Sequence, residues 1–290
     1  MSTETSLLPS GRTLGVIGAG VMGQTILKGL LEQGAVTPDQ LWASSKTPES
    51  CDRVAKLLGI PVEQDFGPRV GDAAIVIVCV KPAQIPAVLG RLGMLGLRDD
   101  ALLISIAAGV TTATLAAALG TAHAWVRAMP NTPCVVGHGM TAVCGGPTAR
   151  PEHLALAQRV FAVVGRSVVL DESHFNAITA LSASGPAYMY LMMEALADAG
   201  VRVGLPRDKA LMLVAQAMLG AAKMVQETGR HPAALRDDVT TPAGCTIGGL
   251  LMLEDGKIRS VLARAVEEAT RIAGQLGPAA PVEAGRKGSS

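Results

Sequence analysis

Between residue 13 and about residue 170, short apolar runs rich in β-branched side chains alternate with Ala- and Leu-rich stretches of helical period. Residues 14–17, 41–44, 74–80, 102–106, 124–127, 141–144 and 168–170 read as strands. Several are apolar at consecutive positions, the pattern of strands covered by helices on both faces. The pattern predicts an α/β domain with a doubly wound, parallel sheet. Beyond Asp171 the strand pattern stops, and helices are predicted over about 173–200, 207–228 and 257–276, with a long break at 231–246. The expected division is an α/β domain over 12–172 and an all-helical domain over 173–277. Residues 1–11 and 278–290 have little to bury and are expected to be disordered.

The later helices carry apolar residues all round, including Met189, Met192, Met193, Met212 and Met218. A second copy of the chain is the simplest partner for such a surface, so at least a homodimer is expected. Composition adds that the core is aliphatic: apolar residues are 49% of the chain but aromatic ones 2%. A net charge of +1 with scattered Lys and Arg argues against a nucleic-acid partner. The longest apolar run, 73–80, falls far short of the roughly 20 residues of a membrane span. With no leader pattern, the expectation is a soluble, cytoplasmic protein. The five cysteines form no C-x-x-C pair and suit a reducing compartment. The five histidines show no ligand spacing, so no metal is expected, and each reads as a surface or capping residue.

Chemistry enters at residues 18–23, where Gly18-Ala19-Gly20-Val21-Met22-Gly23 follows a strand and opens a helix. In that context the glycines allow a tight turn, a close approach to a pyrophosphate and close helix packing, which points to a Rossmann-type dinucleotide site. At the end of the second strand stands Ser44-Ser45-Lys46-Thr47, hydroxyls and a cation in place of a carboxylate, which suits the 2′-phosphate of NADP. Val80-Lys81-Pro82 and Met129-Pro130-Asn131-Thr132-Pro133 leave two further strands, and Asn131 is able both to donate to and accept from a nicotinamide or ribose. Ala108, past the 102–106 strand, is counted in the same cofactor set. In the helical half, 237–246 precedes a helical run, so its last N–H groups with the hydroxyls of Thr241 and Thr246 form a candidate anion site.

Over about residues 13–276 the chain resembles the pyrroline-5-carboxylate reductases. The likeness rests on Pro232, Leu235, the run from Val239 to Thr246, Leu250, Leu253 and Glu254, on the motifs above, and on Ser182-Ala183-Ser184-Gly185-Pro186-Ala187-Tyr188. The resemblance implies reduction of 1-pyrroline-5-carboxylate to L-proline with NADPH or NADH, the last step of proline synthesis. It implies that backbone amides near Gly244, Cys245 and Thr246 hold the substrate carboxylate and that the Thr246 hydroxyl meets the ring nitrogen. Glu172 matches an acidic position near the substrate. The family forms intertwined dimers through the helical domain, often assembled into decamers, with active sites where one subunit's cofactor domain meets the other's helices.

The chain departs from that pattern at Ala243, where a glycine is usual, at Asp238, where some relatives have Asn, and at Phe66, which falls where an Asn often touches the 2′-phosphate. A related cyclic imine, a β-hydroxyacid-type dehydrogenase and a redox-sensing module holding NADP without turnover are the alternatives. The second is weakened because residues 177–193 hold no Lys.

Overall fold

The computed structural model describes residues 7–119 and 123–276. The expected disorder at 278–290 and at 1–6 lies outside them. Within 7–11 the expectation is corrected: Leu7 and Leu8 are 6% and 3% exposed and pack into the core. Their apolar side chains bury readily once the strand that follows, Thr13–Ile17, is in place.

The chain divides into two compact units. The first holds the residues up to Ala183 together with those from Ala269, so it extends past the expected boundary at 172 and recovers the end of the last helix; the second is Ser184–Glu268. The first unit is built on eight strands: β1 (Thr13–Ile17), β2 (Leu41–Ser44), β3 (Val62–Glu63), β4 (Ala73–Val78), β5 (Leu102–Ser105), β6 (Ala124–Met129), β7 (Gly139–Gly145) and β8 (Gly165–Val169). They form one sheet in the order β3-β2-β1-β4-β5-β6-β7-β8. All neighbours are parallel except β6 and β7. That exception differs from the expected parallel sheet and has a simple cause: the connection from Met129 to Gly139 is a short 3-10 turn, too brief for a crossover.

Helices α1 (Val21–Glu32), α2 (Pro48–Leu58), α3 (Gly67–Val70), α4 (Ile85–Met94), α5 (Thr112–Leu119) and α6 (Pro151–Ala162) accompany the strands. Helix α1 shows why the pattern is readable: Gly23, Ile26, Leu27 and Leu30 are buried at helical spacing. Strands β4 and β5 carry consecutive buried residues because two apolar clusters, one on each face, enclose them.

After Asp171 the chain forms α7 (Phe175–Ile178), a π-helical turn at Thr179–Ala183, and then α8 (Gly185–Arg202). The expected single helix over 173–200 is therefore interrupted. Pro186 has no N–H to give to the carbonyl of Ser182, and that carbonyl accepts instead from Asn131 Nδ2 at 3.2 Å. The second unit continues with α9 (Arg207–Thr228), α10 (Pro232–Asp238), α11 (Cys245–Asp255) and most of α12 (Ile258–Ala273). Helix α10 fills half of the expected break, started by Pro232 and capped by His231, whose Nδ1 accepts the Ala233 N–H at 3.2 Å. No helix among the described residues is long and apolar enough to cross a membrane.

Candidate active site

The order of strands reverses between β1 and β4, and the crevice at their carboxyl ends is where such sheets receive ligands. Gly18 leaves β1 with φ +98°, and its N–H and that of Ala19 donate to Ser44 O at 3.1 and 2.8 Å, locking the turn to the end of β2. A Cβ at Gly18 would stand 2.7 Å from Cys79 O, and one at Gly23 2.7 Å from Gly18 O, so two of the three glycines answer to packing. At Gly20 a Cβ would meet nothing within 4 Å. Gly20 caps α1 without any side-chain bond, leaving the N–H groups of Val21, Met22 and Gly23 without intrahelical acceptors. That is a cradle of donors with open space before it, and it fits a dinucleotide pyrophosphate.

Two neighbouring elements add to this edge. Ser45, half-buried, is held by its N–H on Glu63 O at 3.1 Å, and Lys46 is exposed beside it. Val80 packs on the core, Lys81 is exposed, and Pro82 begins a 3-10 turn whose Gln84 accepts the Lys81 N–H at 3.3 Å. Burial pushes the thiol of Cys79, just before Val80, up to about 12, which keeps it a neutral filler. Phe66 is buried with the Arg91 guanidinium 5.3 Å over its ring, so it is a core position and offers the cofactor nothing polar.

Asn131 arrives with internal partners. Its Oδ1 accepts the Met140 N–H of β7 at 2.9 Å while its Nδ2 donates to Ser182 O, so the amide joins the β6–β7 connection to β7 at one end and to the π-turn at the other. Glu172 likewise arrives with partners. Its Oε1 accepts from Thr112 N–H at 2.8 Å and from Arg127 Nη1 at 3.1 Å, and its Oε2 accepts from the Thr112 hydroxyl at 2.7 Å. Thr112 and Arg127 were missed from sequence; a charged residue inside the apolar strand β6 was the available signal. Burial first, and the Glu172 charge second, push the nearby Cys144 thiol up to about 12. His123 corrects its reading as a surface residue, being buried, whereas His153 and His231 do cap helices.

In the second unit, Thr241, Gly244, Cys245 and Thr246 come together in one turn that enters α11. The Gly244 N–H donates to Thr241 O at 3.1 Å, and a Cβ on Gly244 would collide with Thr241 Oγ1 at 2.3 Å. Pro242 followed by Ala243 at φ +57° gives the left-handed third position that such a turn demands, a place normally given to glycine. Gly244 caps α11 without a side-chain bond, so the N–H groups of Cys245, Thr246 and Ile247 lack intrahelical acceptors. Such uncapped amides at the start of a helix suit an anion, and Thr246 stands in the same first turn. Asp238, at the end of α10, pairs with Arg230 at 2.6 Å; that bond holds its carboxyl below the usual range and balances its charge.

A family model described as pyrroline-5-carboxylate reductase dimerisation matches residues 172–276, and one described as NADP oxidoreductase coenzyme F420-dependent matches 13–109. The pyrroline-5-carboxylate reductase of Schizosaccharomyces pombe is 38% identical over 90% of this chain and 98% of its own length. The chain belongs to the pyrroline-5-carboxylate reductase family. Among solved structures, a pyrroline-5-carboxylate reductase from Coxiella burnetii is 34% identical with a TM-score of 0.87, covering 93% of this chain and 100% of that one. The Plasmodium falciparum pyrroline carboxylate reductase, solved with NADP bound, is 28% identical with a TM-score of 0.81, covering 92% of this chain and 98% of that one. Membership makes this chain an oxidoreductase that uses a nicotinamide dinucleotide.

Proposed function

We propose that the chain reduces 1-pyrroline-5-carboxylate to L-proline, with NADPH favoured over NADH, as a homodimer built on its helical unit. The observation that carries this reading is the turn at 241–246, which leaves uncapped amides at the start of α11, with Thr246 in its first turn, in a chain of this family. Lys46 and Ser45 at the end of β2, with no carboxylate between them, support the preference for NADPH.

When bound, the reduced nicotinamide supplies hydride to the carbon of the C=N bond. The protein's own part is modest, because a protonated imine accepts hydride readily once aligned. The free amides of Cys245 and Thr246, next to Gly244, hold the substrate carboxylate at the positive end of α11. The Thr246 hydroxyl hydrogen-bonds the ring nitrogen, which ends as an amine after gaining one proton while the carbon gains hydride. The cofactor cradle comprises Gly18, Gly20, Val21, Met22 and Gly23, with Val80, Lys81, Pro82 and Ala108 along the same sheet edge.

Leu191, Met212, Leu213 and Leu251 are large apolar side chains left exposed on the helical unit, and they support burial against a second copy, with a decamer as the higher assembly. Free thiols throughout support a cytoplasmic setting. Replacing Thr246 by Ala tests the chemistry. Turnover of the imine falls by about 10²-fold or more while NADPH affinity and melting temperature stay put. An unchanged rate removes Thr246 from the reaction.

A further inference from the structure

Arg127 and Glu172 form an ion pair that the proposed chemistry does not use. Arg127 lies on β6 between β5 and β7 and is 3% exposed. Its guanidinium carbon lies 4.5 Å from the centroid of the Phe175 ring, and its Nη1 reaches Glu172 Oε1 at 3.1 Å. A cation this deep needs a fixed counter-charge, and Glu172 is the carboxylate that supplies it.

The remaining bonds of Glu172 lead to a single place, the start of α5. Thr112 gives it both the N–H, at 2.8 Å, and the hydroxyl, at 2.7 Å. The helix is thereby capped from a distant part of the chain. The segment that ends at Thr112 is the β5–α5 loop, residues 106–111, which contains Ala108. The other end of the loop is fixed too, since the Ala107 N–H donates to the buried Ser105 Oγ at 3.3 Å. The loop is thus pinned at Ser105 by its own strand and at Thr112 by Glu172.

This arrangement bears on what Glu172 does. Both of its oxygens are engaged, one of them twice, and its charge is matched by Arg127. A carboxylate so placed has no attraction for a substrate that is itself a carboxylate. We propose that Glu172 is a positioning residue: through Thr112 it sets the β5–α5 loop in the form in which Ala108 meets the cofactor, and it does not bind the imine. The proposal rests on the reading of the sheet edge as an NADPH site.

Titration of the purified full chain with NADPH, followed by nucleotide fluorescence, tests it alongside the Michaelis constant for the imine. Thr112→Val keeps the N–H bond and side-chain shape but removes the hydroxyl bond; Thr112→Ser keeps both; Glu172→Gln replaces an acceptor by a donor facing donors. Thr112→Val and Glu172→Gln are expected to weaken NADPH binding about tenfold, given the strength of hydrogen bonds to charged groups. The imine Michaelis constant stays within about twofold, and Thr112→Ser behaves as the unaltered chain, since the bonds to Glu172 remain. A raised imine constant with unchanged NADPH affinity would overturn the proposal by putting Glu172 at the substrate. Equal loss of both affinities, or no change in either, would overturn it as well. Should Glu172→Gln fail to fold, Thr112→Val and Thr112→Ser decide alone. Because NADPH binding is read without turnover, a chain that binds NADPH yet leaves the imine untouched would defeat the proposed function while this comparison still judged the clamp.

Discussion

Gly15 shows how a single hydrogen atom can hold a fold together. It sits in β1 beside Trp42, and a Cβ there would stand 1.9 Å from Cζ2 of that fully buried indole. The ring is also tethered through its Nε1 to the Thr13 hydroxyl at 3.2 Å, so it cannot simply turn away. Gly15→Ala is expected to cost about 1–3 kcal/mol of stability through overpacking, read as a lower urea midpoint. An unaltered midpoint would mean that the indole relaxes freely. Residues of this kind were not legible in the sequence, because a glycine inside an apolar strand does not name the side chain that occupies its space. The glycines at 18–23 were legible, because their spacing and context carry a mechanism. Asn131 and Glu172 lie between the two cases: residue type marked Asn131 and the family resemblance marked Glu172, but neither foretold the internal bonds that both make.

At the scale of elements, the apolar runs at 14–17, 41–44 and 102–106 announced β1, β2 and β5 because helices on both faces leave no polar alternation. Strand β3 escaped, since two residues, Val62 and Glu63, carry no pattern. The break of the 173–200 helix escaped because the donor that takes up the Ser182 carbonyl, Asn131 Nδ2, is remote in sequence. Arg12 shows how element starts are gathered: its side chain donates to Asp72 O at 3.1 Å, Ala73 O at 3.0 Å and Asp100 Oδ1 at 3.2 Å, joining the entries to β1, β4 and β5. The hydrogen bond from Arg98, aided by Arg12, holds the Asp100 carboxyl down at about 2, against 3.8 for a free group. A depressed carboxyl adds stability above its unfolded value and loses it as pH falls through the folded one. Asp100→Asn should therefore lower the melting temperature at pH 7 by about 1–3 °C, as suits an exposed pair. The difference from the unaltered chain should close as pH drops from about 4 toward 2. A difference constant over that range would show that charge is not its source.

For the whole molecule, the contrast between the two units is plain. The first unit buries most of its large apolar residues around the sheet, with Leu57, Met94 and Val136 among the exceptions, whereas the helices of the second leave Leu191, Met212, Leu213, Leu219 and Leu251 exposed. Such a surface suits the proposed homodimer, and a family model named for dimerisation spans it. Leu213→Asp should convert the assembly to smaller species in light scattering and reduce activity with it. Retention of the full mass would place the interface elsewhere. The activity itself is tested most directly by following a label from the cofactor. With NADPH deuterated on the transferred face and 1-pyrroline-5-carboxylate as acceptor, the L-proline formed should carry one deuterium on the carbon formerly double-bonded to nitrogen. One NADPH should be consumed for each product formed. NADPH that binds but is not oxidised, or proline that forms without the label, would contradict it.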